Sequence, residues 1–157
     1  MKRISIVLVL VGLFSLYSES TNAQEVGIRV GNVVGGNVAL DILLNTNKFG
    51  LLHADISISD AGVYGTYVGV EALSDFLYEP LGGEALNLYL GIGPSLLFAN
   101  DFWMGGSFEA GLDYHFNALP ISIGGDWRPT LWLVGPDSGT DFDASNFGFN
   151  LRFVFGR

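Results

Sequence analysis

The segment Phe147–Phe155 restricts the fold more than any other part of the chain. Phe147, Phe149, Leu151, Phe153 and Phe155 alternate with Gly148, Asn150, Arg152 and Val154. Successive side chains of a strand point to opposite faces, so this period of two gives a five-residue apolar face backed by one carrying Asn and Arg. The same period recurs upstream. Val26, Ile28 and Val30 oppose Gly27, Arg29 and Gly31; Val38, Leu40, Ile42 and Leu44 oppose Ala39, Asp41, Leu43 and Asn45. Leu52, Ala54, Ile56 and Ile58 oppose His53 and Asp55, and Leu86, Leu88, Leu90 and Ile92 oppose Asn87, Tyr89, Gly91 and Gly93. Phe108, Ala110, Leu112, Tyr114 and Phe116 oppose Ser107, Glu109, Gly111, Asp113 and His115. Ile121, Ile123, Trp127, Leu131 and Leu133 oppose Ser122, Gly124, Asp126, Arg128, Thr130 and Trp132. A further strand lies around Tyr64–Val70, with its register left open.

These are eight strands separated by turn chemistry at Asn32–Gly36, Asn45–Lys48, Asp60–Gly62, Ser74–Gly83, Ala99–Asp101, Asn117–Pro120 and Gly135–Ser145. Consecutive strands joined by short turns make an antiparallel meander, and an even number can close into a barrel without free edges. The fold class is therefore all-β, an eight-stranded antiparallel up-and-down barrel.

Composition narrows the class further. Among 157 residues, 49% are hydrophobic, 13% aromatic and only 15% charged, against about a quarter charged in a soluble domain. That excludes disorder. The absence of cysteine excludes disulfide scaffolds and thiolate metal sites. Seven Lys and Arg against 16 Asp and Glu argue against nucleic-acid partners, because phosphate would be repelled. At the start, Met1-Lys2-Arg3 precedes the apolar run Ile4–Leu16, and a polar stretch ends at Ala23. That layout predicts a secretory signal peptide over 1–23, cleaved before Gln24, and a single domain over 24–157.

Period two with one apolar face fits two opposite objects. A soluble barrel turns its apolar face inward around a ligand, whereas a membrane barrel turns it outward to lipid and fills its lumen with polar groups. The polar face here is rich in Gly, Ser and Ala and poor in Lys and Glu, unlike a water-facing surface. Its charges have both signs, so Arg29, Arg128 and Arg152 can pair with Asp41, Glu109, Asp113 and Asp126 in a confined interior, together with Asn150. The other acids, including Asp60, Asp75, Glu79, Glu84, Asp101, Asp137, Asp141 and Asp143, are read as lying in connections. Tyr64, Tyr67, Trp103, Tyr114, Trp127 and Trp132 near strand ends suit interfacial aromatic girdles.

The stretches Gly111-Leu112-Asp113-Tyr114-His115-Phe116, Leu119-Pro120-Ile121-Ser122-Ile123 and Asp126-Trp127-Arg128-Pro129 resemble the penultimate hairpin of small bacterial outer-membrane β-barrel proteins of the OmpA/OmpX-like eight-stranded class. The alternation Phe147, Phe149, Leu151, Phe153, Phe155 resembles the C-terminal strand signal read by the outer-membrane insertion machinery. The resemblance implies an integral outer-membrane protein with lipid and that machinery as partners, both termini in the periplasm, Gly135–Ser145 as an outward loop and Ser74–Gly83 as an inward turn.

Chemistry is thinly represented. A His–acid–Ser set could be drawn from His53 or His115 with Ser107 or Ser122, but His115 shares its parity with Glu109 and Asp113 and so reads as an interior side chain. Alternate residues of one strand lie about 7 Å apart, so a metal at His115 would need ligands from neighbouring strands. The loop Gly135–Asp143 spaces its acids like a calcium loop yet lacks the Glu at the twelfth position. Gly91-Ile92-Gly93 precedes no helix and is no nucleotide motif. No catalytic residue, metal or cofactor is expected. The expected role is structural, in the envelope or at the cell surface, with the lumen plugged by the polar set. The alternatives are a small porin or hydrophobic-solute channel, and a secreted soluble barrel with an apolar ligand; no external ligand can be named.

Overall fold

The computed structural model describes residues 24–46, 50–60, 62, 65–83, 85–136 and 139–155. The expected signal peptide over 1–23 lies outside the described residues, as do Tyr64, Glu84 and Asp137. The strands are β1 (Gln24–Val33), β2 (Gly36–Thr46), β3 (Gly50–Asp60), β4 (Thr66–Pro80), β5 (Leu86–Phe98), β6 (Phe102–His115), β7 (Ile121–Trp127), β8 (Thr130–Val134), β9 (Asp141–Asp143) and β10 (Phe147–Phe155). Each of β1 to β6 pairs antiparallel with the next, β7 pairs with β6 and β10, and β10 returns to β1. The ring is closed.

Strands β7 and β8 both pair with β6 and form one barrel strand, interrupted at Arg128-Pro129, where proline offers no N–H. The ladder is bridged there by Phe108 N–H donating to Pro129 O at 3.1 Å and Arg128 N–H donating to Asn146 O at 2.8 Å. The barrel therefore has eight strands. The short β9 extends one end by pairing with β8, so Gly135–Ser145 is not wholly irregular.

Alternation fixes which side chains go inside. On β10, Phe147, Phe149, Leu151, Phe153 and Phe155 are exposed while Gly148, Asn150, Arg152 and Val154 are buried. Phe149 is 73% exposed and Leu112 45%, whereas Arg152 is 1% and Asp126 6%. The register of β4, open from the sequence, places Glu71, Leu73 and Asp75 inside and Val68, Val70 and Ala72 outside.

Three readings are corrected. The turn expected at Ser74–Gly83 is shorter, because β4 continues to Pro80. A bulge between Asp75 and Leu77 absorbs the exposed Phe76, letting the polar pair Ser74-Asp75 stay in the strand. Asp75 accordingly belongs to the interior and not to a connection. Of the aromatic residues read as girdles, Trp127 and Tyr114 are exposed, but Trp132 is 7% exposed and Trp103 packs edge-on against it at 6.1 Å. Tyr67, which shares the inward parity of Gly69 and Glu71, lines a depression with Trp132, Val33, Val34 and Leu97 at the end opposite the termini. Their parity along the strands, and not their nearness to strand ends, decides where they point.

Glycine shapes the interior in one place above all. Gly111 pairs with Tyr89 across β5 and β6, and a Cβ at Gly111 would collide with the Tyr89 ring, whose Cε1 would lie 2.8 Å away. The missing side chain is the slot that admits the tyrosine. Gly111→Ala is expected to destabilise the barrel by about 1–3 kcal/mol through overpacking. Gly106→Ala on the same strand, where the nearest atom is 3.8 Å away, is expected to stay within about 0.5 kcal/mol. Urea unfolding of the refolded barrel measures both.

Candidate functional site

The candidate site is the barrel interior itself. All eight residues read as an interior polar set are found there: Arg29, Asp41, Glu109, Asp113, Asp126, Arg128, Asn150 and Arg152 are each at most 6% exposed. They come from β1, β2, β6, β7, the β7–β8 junction and β10, and the closed ring brings them together. Among the described residues, five further buried carboxylate or imidazole side chains lie outside the sequence-derived set, Glu25, His53, Asp55, Glu71 and Asp75, as do the phenols of Tyr78 and Tyr89 and the part-buried His115. His53 and Asp55 carry the polar parity of β3, and Glu25 that of Arg29. Glu71 and Asp75 could be found only once the register of β4 was known.

Each arginine organises a group of acids. Arg29 donates from Nε and Nη2 to Asp126 Oδ1 at 2.8 and 2.6 Å. Arg152 donates from Nε to Asp41 Oδ2 at 2.7 Å and from Nη1 to Asp113 Oδ1 at 3.3 Å. Arg128 has the widest reach: Nη1 donates to Asp55 Oδ2 at 2.7 Å, Nη2 to Asp126 Oδ2 at 3.3 Å, and Nε lies 3.1 Å from Glu109 Oε2. Guanidinium suits this role, since its five N–H groups in a fixed fork can serve several carboxylates at once. Tyr89, stacked against Tyr78 and edge-on to His53, offers its hydroxyl to Asp126 Oδ2 at 3.2 Å and receives Asn150 Nδ2 at 3.3 Å.

Above this layer runs a chain of hydroxyls. Ser95 Oγ donates to Glu71 Oε1 at 3.1 Å, lies 2.5 Å from Ser107 Oγ, and Ser107 Oγ lies 2.6 Å from Thr130 Oγ1. At the end near the termini, His115 Nε2 lies 3.0 Å from Glu25 Oε1 and 2.5 Å from Asp113 Oδ2. Ser122 donates to Glu25 Oε2 at 2.6 Å. The serines of the conceivable acyl-transfer set are thus engaged with an acid or with other hydroxyls, and none of these hydrogen bonds is to an imidazole. In the connection between β8 and β10, Asp143 Oδ1 accepts from the Ser145 N–H and hydroxyl at 2.8 and 2.6 Å, a local turn contact.

Comparisons with protein-family models, curated proteins and solved structures find no match to this chain.

Removing one partner of a buried ion pair strands the other charge and costs about 3–5 kcal/mol. Arg152→Met is expected to destabilise the barrel by that amount. Adding Asp41→Leu is expected to recover a large part, because both charges then leave together. A double-mutant cycle on urea unfolding reads the coupling.

Proposed function

We propose that this chain is an integral outer-membrane β-barrel protein, similar to the small OmpA/OmpX-like class, exported by its signal peptide and assembled by the outer-membrane insertion machinery. Its role is structural or surface-interactive rather than enzymatic, and its lumen is plugged by polar side chains. One observation carries this reading: burial is inverted. Arginines and carboxylates occupy the interior, while Ile28, Val38, Ile58, Ile92, Leu133, Phe149 and Leu151 are exposed on the outside of the strands. Such a surface is costly in water and favourable in lipid. Strands of β1 to β6 run 10 to 15 residues, enough for the roughly 9–11 that a tilted crossing needs. The outer connections are short, and the acids Asp60, Asp101, Asp141 and Asp143 sit in or beside them.

Cell fractionation tests the location. The protein is expected in outer membranes, migrating faster on unboiled than on boiled gels. Recovery as a soluble periplasmic monomer without detergent would instead support the secreted barrel with an apolar ligand. A substitution adds a quantitative arm. Leu151 sits midway along β10 and is 50% exposed. Leu151→Arg is expected to cost about 2–4 kcal/mol in lipid vesicles, as for Arg at a bilayer midplane. A water-facing site would tolerate it within about 0.5 kcal/mol.

The small-porin reading has its own observation, the surplus of interior carboxylates over arginines, which would favour cations in any open path. The plugged barrel is expected to give no discrete openings in planar bilayers. Steady wild-type openings that Arg128→Ala abolishes would establish a conducting lumen in its place.

A further inference from the structure

Most interior acids have a donor. Asp75 does not. It is 7% exposed, points inward from β4 at the bulge, and neither of its oxygens takes a hydrogen bond. The ladder explains where it looks. Asp75 pairs with Gly91 on β5, and Gly91 pairs with Glu109 on β6, so the three form one row across neighbouring strands. Gly91 has no side chain. A Cβ there would stand 2.6 Å from Glu109 Oε1 and would collide with Asp75 Oδ1 as well. Both carboxylates therefore lean over the same vacant slot from opposite sides, and Glu109 Oε1 is likewise without a hydrogen bond.

The third member comes from β3. His53 Nδ1 lies 3.1 Å from Glu109 Oε2, while its Nε2 lies 2.7 Å from Asp41 Oδ1. Nε2 also has Arg128 Nη2 and Arg152 Nη2 at 2.9 Å, and Nδ1 has Arg128 Nη2 at 3.3 Å. A metal taking the Nδ1 lone pair would displace that Arg128 contact, while the Nε2 proton goes to Asp41, the acceptor beside it. A carboxylate on the far nitrogen is the partner that orients metal-bound imidazoles, leaving the near nitrogen as ligand. Ligand atoms of His53, Asp75 and Glu109 lie within 4.8 Å of one another, and side-chain rotations that draw them to about 3.3–3.6 Å would bring them onto one ion with bonds of about 2.0–2.2 Å. Two buried carboxylates facing each other are stable together only with a cation or a proton between them. Arg128 serves only the far oxygen of Glu109.

We propose that His53, Asp75 and Glu109 bind one divalent transition-metal ion in the barrel centre, above Gly91. One imidazole with two carboxylates is a donor set for a Zn2+-like ion rather than for Ca2+, which prefers six or more oxygens. Glu25, Asp113 and His115 also cluster, but their carboxylates already accept hydrogen bonds from Ser122, Arg152 and Tyr78, which makes that cluster the control. The site stands wherever the barrel resides.

The test uses the barrel Gln24–Arg157 refolded in detergent with Zn2+, freed of loose ion over a desalting column and analysed for bound metal, with the unboiled-gel shift certifying the fold. The wild type is expected to retain about one equivalent and to gain resistance to urea over an EDTA-treated sample. Asp75→Asn is expected to lose the bound Zn2+ and the zinc-dependent gain. Metal-free, it should fold at least as well as the wild type, because Asp75 gives up no protein donor. Glu25→Gln is expected to keep the ion. Folded wild type without Zn2+ and with identical urea midpoints in Zn2+ and EDTA would overturn the proposal and leave a proton shared between Asp75 and Glu109. Equal retention by Asp75→Asn, or loss on Glu25→Gln alone, would overturn it in favour of the cluster near the termini. If Asp75→Asn does not fold, the comparison of wild type in Zn2+ and EDTA decides.

Discussion

Three guanidinium groups make it possible for this barrel to have an ionic centre. Arg29, Arg128 and Arg152 are each at most 1% exposed, and around them stand Glu25, Asp41, Asp55, Glu71, Asp75, Glu109, Asp113 and Asp126. Burying that many carboxylates without partners would cost several kcal/mol per ion. Among the described strands, the closed ring leaves only the short β9 with an unpaired edge, so the interior is reached through the ends, and the fold persists because the arginines are placed where several strands can share each of them. Arg128 shows why placement matters. It sits at the break between β7 and β8, where Pro129 interrupts the ladder, and its side chain reaches acids from β3, β6 and β7.

The acids nevertheless outnumber the arginines, and the two histidines are where the imbalance is felt. His115 stands between Glu25 and Asp113 at the end near the termini, and His53 between Asp41 and Glu109 at the centre. Glycines decide how closely such groups approach. Gly111 makes room for Tyr89, and Gly91 makes room for two carboxylates. Space left by missing side chains is thus as much a part of this interior as the charges are.

Much of this was legible in the chain because a strand has a period of two and a barrel has only two sides. The alternation from Phe147 to Phe155 identifies both the strand and its inward Arg152, and the parity of Glu109, Asp113, Asp126 and Arg128 places them on the same side. What was not legible depends on pairing. Asp75 keeps the inward parity of Glu71 and Leu73, but the bulge after it breaks the alternation of β4, so Asp75 reads as turn chemistry until Gly91 and Glu109 are seen beside it. Trp132 and Trp103 illustrate a related failure: aromatic residues near strand ends suggest a girdle, yet both share the inward parity of their strands and pack against each other toward the end opposite the termini. The partnership of His53 with Glu109 joins two strands that do not pair, which no local pattern encodes.

Site-directed labelling examines the inversion most directly, and the chain's lack of cysteine makes it clean. Spin labels on Phe149→Cys and on Phe153→Cys, in vesicles, can be scored for collision with oxygen, which concentrates in lipid, and with a water-soluble nickel chelate. High oxygen and low chelate accessibility are expected at both, with Ala99→Cys in the β5–β6 turn showing the reverse. If the chelate reached Phe149→Cys and Phe153→Cys as readily as the turn, the apolar face would be turned to water and the membrane assignment would fall.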